Sequence, residues 1–130
     1  MVQSATVRGM SPLADVMVVE DDRSIRETLA EALADEGFAV TWAANGAEAL
    51  HLLRGARAPR LILLDLTMPV MDGWEFRKAL REDPALARIP VVIISADRGL
   101  AQKASSLAAD GYLAKPFHLE ALLSTVHRYC

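Results

Sequence analysis

The sequence predicts an α/β fold, in which a doubly wound parallel sheet is covered by helices on both faces. Short, continuous apolar runs alternate five times with segments whose apolar residues recur at helical spacing. Continuous apolar runs are typical of strands buried on both faces, and their alternation with helices is typical of parallel sheets. The chain has 130 residues, of which 52% are hydrophobic, so it can form one globular domain with its own core.

Three strands and two helices are predicted in the first half of the chain. The strands are Asp15–Glu20, Phe38–Ala43 and Arg60–Asp65, and the helices are Arg23–Glu36 and Asn45–Arg54. In each helix, apolar residues three or four apart mark an inward face.

Local signals mark both ends of the first helix. The carboxylate of Asp22 is expected to accept from the free N–H groups of the first turn. Gly37 is expected to end the helix, because glycine readily adopts the left-handed conformation of a C-terminal cap.

The second half of the chain continues the alternation. It predicts, in order, Glu75–Glu82 as a helix, Val91–Ser95 as a strand, Gly99–Ala109 as a helix, Gly111–Ala114 as a strand and His118–Tyr129 as a helix. The helix at Gly99–Ala109 has an inward face of mostly alanine and serine, so shallow packing is expected there. The last helix has an apolar stripe of Leu119, Leu122, Leu123 and Val126.

Composition and charge exclude several classes of function. The formal net charge of −3 argues against a surface for nucleic acids, which are polyanions. The only cysteine, Cys130, leaves no internal disulfide, and this suits a cytoplasmic protein. The apolar runs are too short to cross a membrane.

Residues 1–13 are expected to form a flexible tail before a single domain at 14–130.

Polar side chains follow the strands at the carboxyl edge of the predicted sheet, where ligands of such folds bind. Glu20 and Asp21 follow the first strand, Asp65 and Ser95 end two others, and Lys115 follows the last. Clustered carboxylates stay ionised together only beside a cation, and oxygen ligands favour Mg²⁺. A magnesium ion, a lysine and a hydroxyl around Asp65 would form a cradle for a phosphoryl group, with Asp65 as the nucleophile.

These motifs resemble the receiver domain of two-component response regulators, as in chemotaxis regulators, over nearly the whole chain. The matching segments are Val18–Asp21, Leu63–Gly73, Ser95-Ala96 and Tyr112–Phe117, in order and at similar spacing. The resemblance implies a flavodoxin-like, three-layer (βα)5 sandwich with strand order 2-1-3-4-5.

The resemblance also implies a phosphorelay. Asp65 would be the phosphoacceptor, taking the group from a sensor histidine kinase or a histidine phosphotransfer protein. Glu20, Asp21, Asp65 and the backbone carbonyl of Thr67 would hold Mg²⁺, with Glu20 acting through a water. Lys115 would pair with one phosphoryl oxygen.

A switch is the third implication of the resemblance. Ser95 would hydrogen-bond the phosphoryl group, and Tyr112 would turn inward as Ser95 moves. The Lys115–Pro116 peptide is expected to be cis. Phosphorylation would then change a binding surface made of helix 4, strand 5 and helix 5.

The expected protein is a stand-alone receiver, a monomer or weak dimer, that acts on a downstream protein target and catalyses only its own phosphorylation and dephosphorylation. One alternative is a receiver-like interaction module that is independent of phosphate. A haloacid-dehalogenase-type phosphatase needs a second aspartate two residues after the nucleophile, where this chain has Thr67. A flavodoxin relative would place a flavin phosphate against the acidic loop at Glu20–Asp22.

Overall fold

The structure is a computed structural model that describes residues 15–55, 58–68 and 70–130. The flexible tail expected at residues 1–13 lies outside the described residues. The strands are β1 (Val16–Val19), β2 (Val40–Ala43), β3 (Leu61–Asp65), β4 (Val91–Ser95) and β5 (Gly111–Ala114). The helices are α1 (Arg23–Asp35), α2 (Gly46–Gly55), α3 (Gly73–Glu82), α4 (Leu100–Ser106) and α5 (Leu119–His127).

The five strands form one parallel sheet in the order β2-β1-β3-β4-β5, which confirms the predicted fold class and strand order. The register aligns the carboxyl ends of the central strands, since Val19 of β1 pairs with Leu64 of β3. Glu20 and Asp65 are the next residues on these neighbouring strands, so the register brings them side by side. Ser95 pairs with Ala114, which places Lys115 just beyond the same edge.

Two apolar clusters fill the space between the sheet and the two helical layers. Alternate strand residues point to opposite faces of a sheet, as in β3, where Ile62 and Leu64 join one cluster and Leu61 and Leu63 join the other. All five residues of β3 are buried, including Asp65 at its end. The rigid centre of the core therefore delivers Asp65 to the edge of the sheet.

Both predicted ends of α1 are confirmed. The side chain of Asp22 accepts a hydrogen bond from the N–H of Ile25 at 3.1 Å. Gly37 has φ +92°, and the N–H of Phe38 donates to the carbonyl of Leu33 at 3.1 Å. This pattern is the Schellman motif, in which a left-handed residue after the helix satisfies its last carbonyls.

The helix bounds differ from the prediction by up to three residues, and α5 ends at His127 rather than Tyr129. The third helix begins at Gly73 rather than Glu75, because Asp72 and Glu75 form a capping box that starts it earlier. The fourth ends at Ser106 rather than Ala109, and Ala108 has φ +54°, which cannot continue a helix. Leu119 is 53% exposed and does not join the inward stripe of α5.

The shallow packing expected for α4 is borne out, since this short helix buries only Leu100 and Ala104. Across the described residues, no helix is both long enough and apolar enough to span a bilayer.

Candidate functional site

Three carboxylates meet at the carboxyl edge of the sheet, as the sequence predicts. Glu20, Asp21 and Asp65 each offer an oxygen, and these atoms lie within 4.8 Å of one another. Glu20 and Asp65 are buried, whereas Asp21 is exposed. The cluster is therefore open to solvent on one side and closed by the core on the other.

Burial raises the pKa of Asp65 from 3.8 to about 7. The negative charge and hydrogen bonding of Glu20 contribute to this rise, and the charge of Asp21 acts in the same direction, whereas the charge of Lys115 opposes it. Clustered carboxylates favour a shared proton unless positive charge is added. Asp65 therefore needs more positive charge nearby than the protein itself provides to be fully ionised at neutral pH.

Lys115 supplies the protein's own positive charge at this edge. Its Nζ lies 2.6 Å from Oε1 of Glu20 and 3.5 Å from Oδ1 of Asp65. Burial alone would lower the pKa of Lys115, but the hydrogen bond to Glu20 and the charges of Asp65 and Glu20 outweigh this and raise it. The ammonium group is therefore held beside the carboxylate of Asp65, and the Lys115–Pro116 peptide is cis, as expected.

The three carboxylates fit a hard divalent cation. They offer oxygen ligands only, within the span of one coordination sphere, and their mutual repulsion explains why a cation would be bound. One side of the cluster is exposed, which suits Mg²⁺, because this ion retains several water ligands. Thr67, whose carbonyl was the fourth expected ligand, lies in the loop directly after β3 and is exposed.

The two expected switch residues lie in contrasting environments. Ser95 is buried at the end of β4, and its Oγ accepts a hydrogen bond from the N–H of Asp97 at 3.0 Å. Tyr112 lies in β5 and is 49% exposed, so its ring faces outward here. The Ser95 hydroxyl is thus linked to the loop that precedes α4, where Asp97 also pairs with Lys103 of that helix at 3.1 Å.

Arg26 is a residue of this region that the sequence reasoning missed. It is buried on the inward face of α1, and its Nη1 donates to the main-chain carbonyl of Glu20 at 3.1 Å. Its guanidinium carbon lies 4.3 Å from the centre of the Trp42 ring. Arg26 therefore fixes the backbone that carries Glu20. Its position three residues before Leu29 and seven before Leu33 on the apolar face is the signal that could have identified it.

Gly73 controls the position of Asp65 from the other side. A Cβ atom at residue 73 would lie 2.7 Å from the carbonyl oxygen of Asp65 and 2.8 Å from Cα of Leu66. The N–H of Gly73 also donates to the carbonyl of Leu66 at 2.9 Å. The start of α3 thus packs directly on the backbone of Asp65 and Leu66.

We expect Gly73→Ala to destabilise the protein by about 1–3 kcal/mol, because backbone atoms must move to admit the methyl group. The displaced strand end should also weaken Mg²⁺ binding. Urea unfolding and a magnesium titration would measure both effects. Gly55→Ala is the matched control, since a Cβ there meets nothing within 4 Å among the described residues. Equal stability of the two variants would contradict the prediction.

Comparison with known proteins agrees with this geometry. The family model of the response regulator receiver domain matches residues 16–127. The chain belongs to the response regulator receiver family. This family acts in two-component signalling, and its members are signalling modules rather than conventional enzymes.

One curated relative of this receiver is the response regulator MprA of Mycobacterium sp. (strain KMS). The two are 38% identical over 111 residues, which cover 84% of this chain and 47% of that protein. The chain therefore spans about half the length of the curated relatives that it matches.

Solved structures support the same assignment. The chemotaxis protein CheY4 of Vibrio cholerae is 36% identical, with a TM-score of 0.81, and the match covers 92% of this chain and 100% of that one. The receiver domain of the sensor histidine kinase PA1611 from Pseudomonas aeruginosa PAO1 is 26% identical, with a TM-score of 0.81 over 91% of this chain and 98% of that one. That structure is described with a magnesium ion coordinated in its active-site cleft.

Proposed function

We propose that this receiver accepts a phosphoryl group on Asp65 and thereby switches its affinity for a protein partner. The observation that carries the proposal is the meeting of Glu20, Asp21, Asp65 and Lys115 at one edge of the sheet. Three acids and a fixed cation around one strand-end carboxylate suit the transfer of a highly charged group.

Asp65 is the proposed nucleophile. A carboxylate oxygen attacks the phosphorus of a phosphohistidine, the P–N bond breaks, and the histidine nitrogen keeps the bonding electron pair. The product is an acyl phosphate on Asp65 and a histidine free to take up a proton. The donor is a sensor histidine kinase or a histidine phosphotransfer protein.

Two positive charges assist this step, a bound Mg²⁺ ion and the ammonium group of Lys115. The proposed ligands of Mg²⁺ are Glu20, Asp21, Asp65 and the carbonyl of Thr67, with Glu20 acting through a water. When bound, the ion would neutralise charge on the transferring phosphoryl oxygens. Lys115, already 3.5 Å from Asp65, would pair with another of these oxygens.

The switch is proposed to start at the Ser95 hydroxyl. Phosphorylation replaces one negative charge by roughly two and adds acceptor oxygens next to Ser95. If Ser95 turns towards them, it loses the N–H of Asp97, and the segment leading into α4 is released. Tyr112 would then move inward, which changes the surface formed by α4, β5 and α5 for a downstream protein.

The phosphodonor protein has a suitable docking site beside Lys115. A groove of about 400 Å³ lies between α1 and the segment after β5, and its lining is mostly apolar. Ile25 and Leu29 line one side, and Pro116 and Phe117 line the other. A helix of the donor packed there would bring its phosphohistidine next to the cluster of acids.

Intact-mass measurement with a small phosphodonor and Mg²⁺ tests the proposal. Wild type is expected to gain one phosphoryl group, and Asp65→Asn to gain none. The matched control is Asp22→Asn, which changes an exposed carboxylate of the neighbouring loop but retains a capping side chain. Labelling of Asp65→Asn, or no labelling of wild type by either a small donor or a kinase, would contradict the proposal.

A phosphate-independent interaction module remains the second candidate, and absence of the adduct would favour it. A haloacid-dehalogenase-type phosphatase is disfavoured because Thr67 offers no carboxyl group as general acid. Output through a protein rather than through nucleic acid fits the formal net charge of −3.

A further inference from the structure

A second groove lies between α3 and the C-terminal end of α4, separate from the acidic edge. Its volume is about 370 Å³. Trp74, Lys78 and Arg81 line it from α3, and Ser106 and Leu107 line it from the end of α4. Trp74, Lys78 and Arg81 are four and then three residues apart, which places them on one face of α3.

The charge of this α3–α4 groove is opposite to that of the whole chain. Arg77, Lys78 and Arg81 are cationic and only Glu82 is anionic, whereas the chain has a formal net charge of −3. Lys78 and Arg81 are exposed, and neither pairs with a carboxylate in the described part of the chain. These cations are therefore available to an anionic ligand.

Arg77 forms the floor of the α3–α4 groove and is only 7% exposed. Its Nε donates to the carbonyl of Leu107 at 3.0 Å, and its Nη2 donates to that of Ala108 at 2.9 Å. Its Nη1 has no hydrogen-bond partner among the described residues. Burial lowers the pKa of Arg77, and although the charge of Asp110 acts against this effect, Arg81 adds to it. A buried cation with an unused donor favours a nearby negative charge.

Trp74 adds an apolar contact at the same place. Its indole is 40% exposed at the start of α3. Tryptophan and arginine are among the residues most enriched at the energetic hot spots of protein–protein interfaces. The groove thus offers an aromatic surface followed by a row of cations.

We propose that the α3–α4 groove binds an acidic peptide segment of a protein partner. Glutamate or aspartate carboxylates of the segment meet Lys78 and Arg81, and an apolar side chain covers Trp74. A polyanionic nucleic acid fits less well, because the net charge of −3 would repel its remaining phosphates. An inorganic anion would leave the indole ring of Trp74 without an apolar contact.

The test uses a fluorescein-labelled octapeptide of alternating glutamate and leucine, with a lysine–leucine octapeptide as the matched probe. Fluorescence anisotropy is measured on the 130-residue chain with Asp65→Asn and without Mg²⁺, so the result does not depend on phosphorylation. The acidic probe is expected to bind saturably, and the basic probe is expected not to bind. Affinity should fall steeply as salt is added.

Charge reversal locates the binding surface. The double variant Lys78→Glu with Arg81→Glu is expected to weaken binding at least about tenfold, because both contacts become repulsive. Arg54→Glu with Arg88→Glu is the matched control, since it makes the same change of net charge at exposed arginines outside this groove. It should change affinity by less than about threefold.

Trp74 can report binding directly. In a Trp42→Phe background it is the only tryptophan, and its emission should shift when the acidic probe binds. Equal loss of affinity in the two double variants would overturn the proposal. So would an unchanged Trp74 emission at saturating probe, or tighter binding of a single-stranded oligonucleotide than of the acidic octapeptide.

Discussion

Replacing Asp65 with asparagine is expected to stabilise the metal-free protein by about 2–4 kcal/mol at pH 8. The carboxylate is buried next to Glu20, and this environment raises the pKa of Asp65 from 3.8 to about 7. At pH 8 the folded protein must therefore hold a charge that its surroundings disfavour. Asparagine has nearly the same shape but no charge, so the variant is free of this cost.

The pH dependence follows from the direction of the pKa shift. The unfolded carboxyl loses its proton near pH 3.8, whereas the folded carboxyl keeps it up to about pH 7. Over this interval the folded state binds more protons, so stability falls as pH rises. The difference in unfolding free energy between wild type and Asp65→Asn should therefore be absent below about pH 4 and fully developed above about pH 7.

Urea unfolding with EDTA at a series of pH values measures this difference. Asp22→Asn serves as the control, because Asp22 is exposed and a cap is retained. At one thousand times its dissociation constant, Mg²⁺ should reverse the ranking, since it then stabilises the wild-type protein that binds it by about 4.1 kcal/mol. If the difference in unfolding free energy between wild type and Asp65→Asn did not change with pH, the assigned environment of Asp65 would be contradicted.

The residues of this cluster could be predicted from sequence because the fold itself brings them together. The carboxyl ends of parallel strands lie along one edge, so the residues at or just after the ends of β1, β3 and β5 lie on that edge whatever the details of the helices. Only the strand boundaries and the strand order were needed to predict that Glu20, Asp65 and Lys115 lie at this edge. The distances, and the contact of Gly73 with the Asp65 backbone, required coordinates because they depend on how α3 enters its layer.

Two buried arginines were missed for a common physical reason. Arg26 and Arg77 both donate to main-chain carbonyls, at Glu20 and at Leu107. Every residue has a carbonyl, so an acceptor of this kind has no signature in the sequence. A charged side chain on an amphipathic helix is then interpreted as solvated, and only tertiary structure shows which carbonyl it satisfies.

Errors at the helix ends have a different origin. Apolar spacing shows which face of α5 points inward but not how far the adjoining layer extends, so Leu119 was placed in the core although it is 53% exposed. The early start of α3 could have been found, because Asp72 and Glu75 have the spacing of a capping box. Local pairing therefore fixes helix ends more reliably than periodicity does.

Lys115→Ala is expected to lower the rate of phosphorylation by a small phosphodonor about 100- to 1000-fold, the usual effect of removing one fixed donor from a charged transition state. Its Nζ lies 3.5 Å from Oδ1 of Asp65, where charge increases as the phosphoryl group arrives. The substitution also removes a positive charge that lowers the pKa of Asp65. More of the acceptor would then be protonated at neutral pH, and a protonated carboxyl is a poor nucleophile. The rate is measured by intact mass over time at subsaturating Mg²⁺, because a bound cation would itself keep Asp65 ionised.

Lys103→Ala provides the matched control for Lys115→Ala. It removes the same charge from a lysine near the site. Lys103 pairs with Asp97 and not with Asp65. It should therefore change the rate by less than about threefold, as expected for an exposed ion pair. Repeating both measurements at pH 9 separates the two effects of Lys115. Ionisation of Asp65 would be restored there, so any remaining deficit reports the missing contact with the phosphoryl group. A rate for Lys115→Ala within threefold of wild type at both pH values would exclude Lys115 from the transfer step.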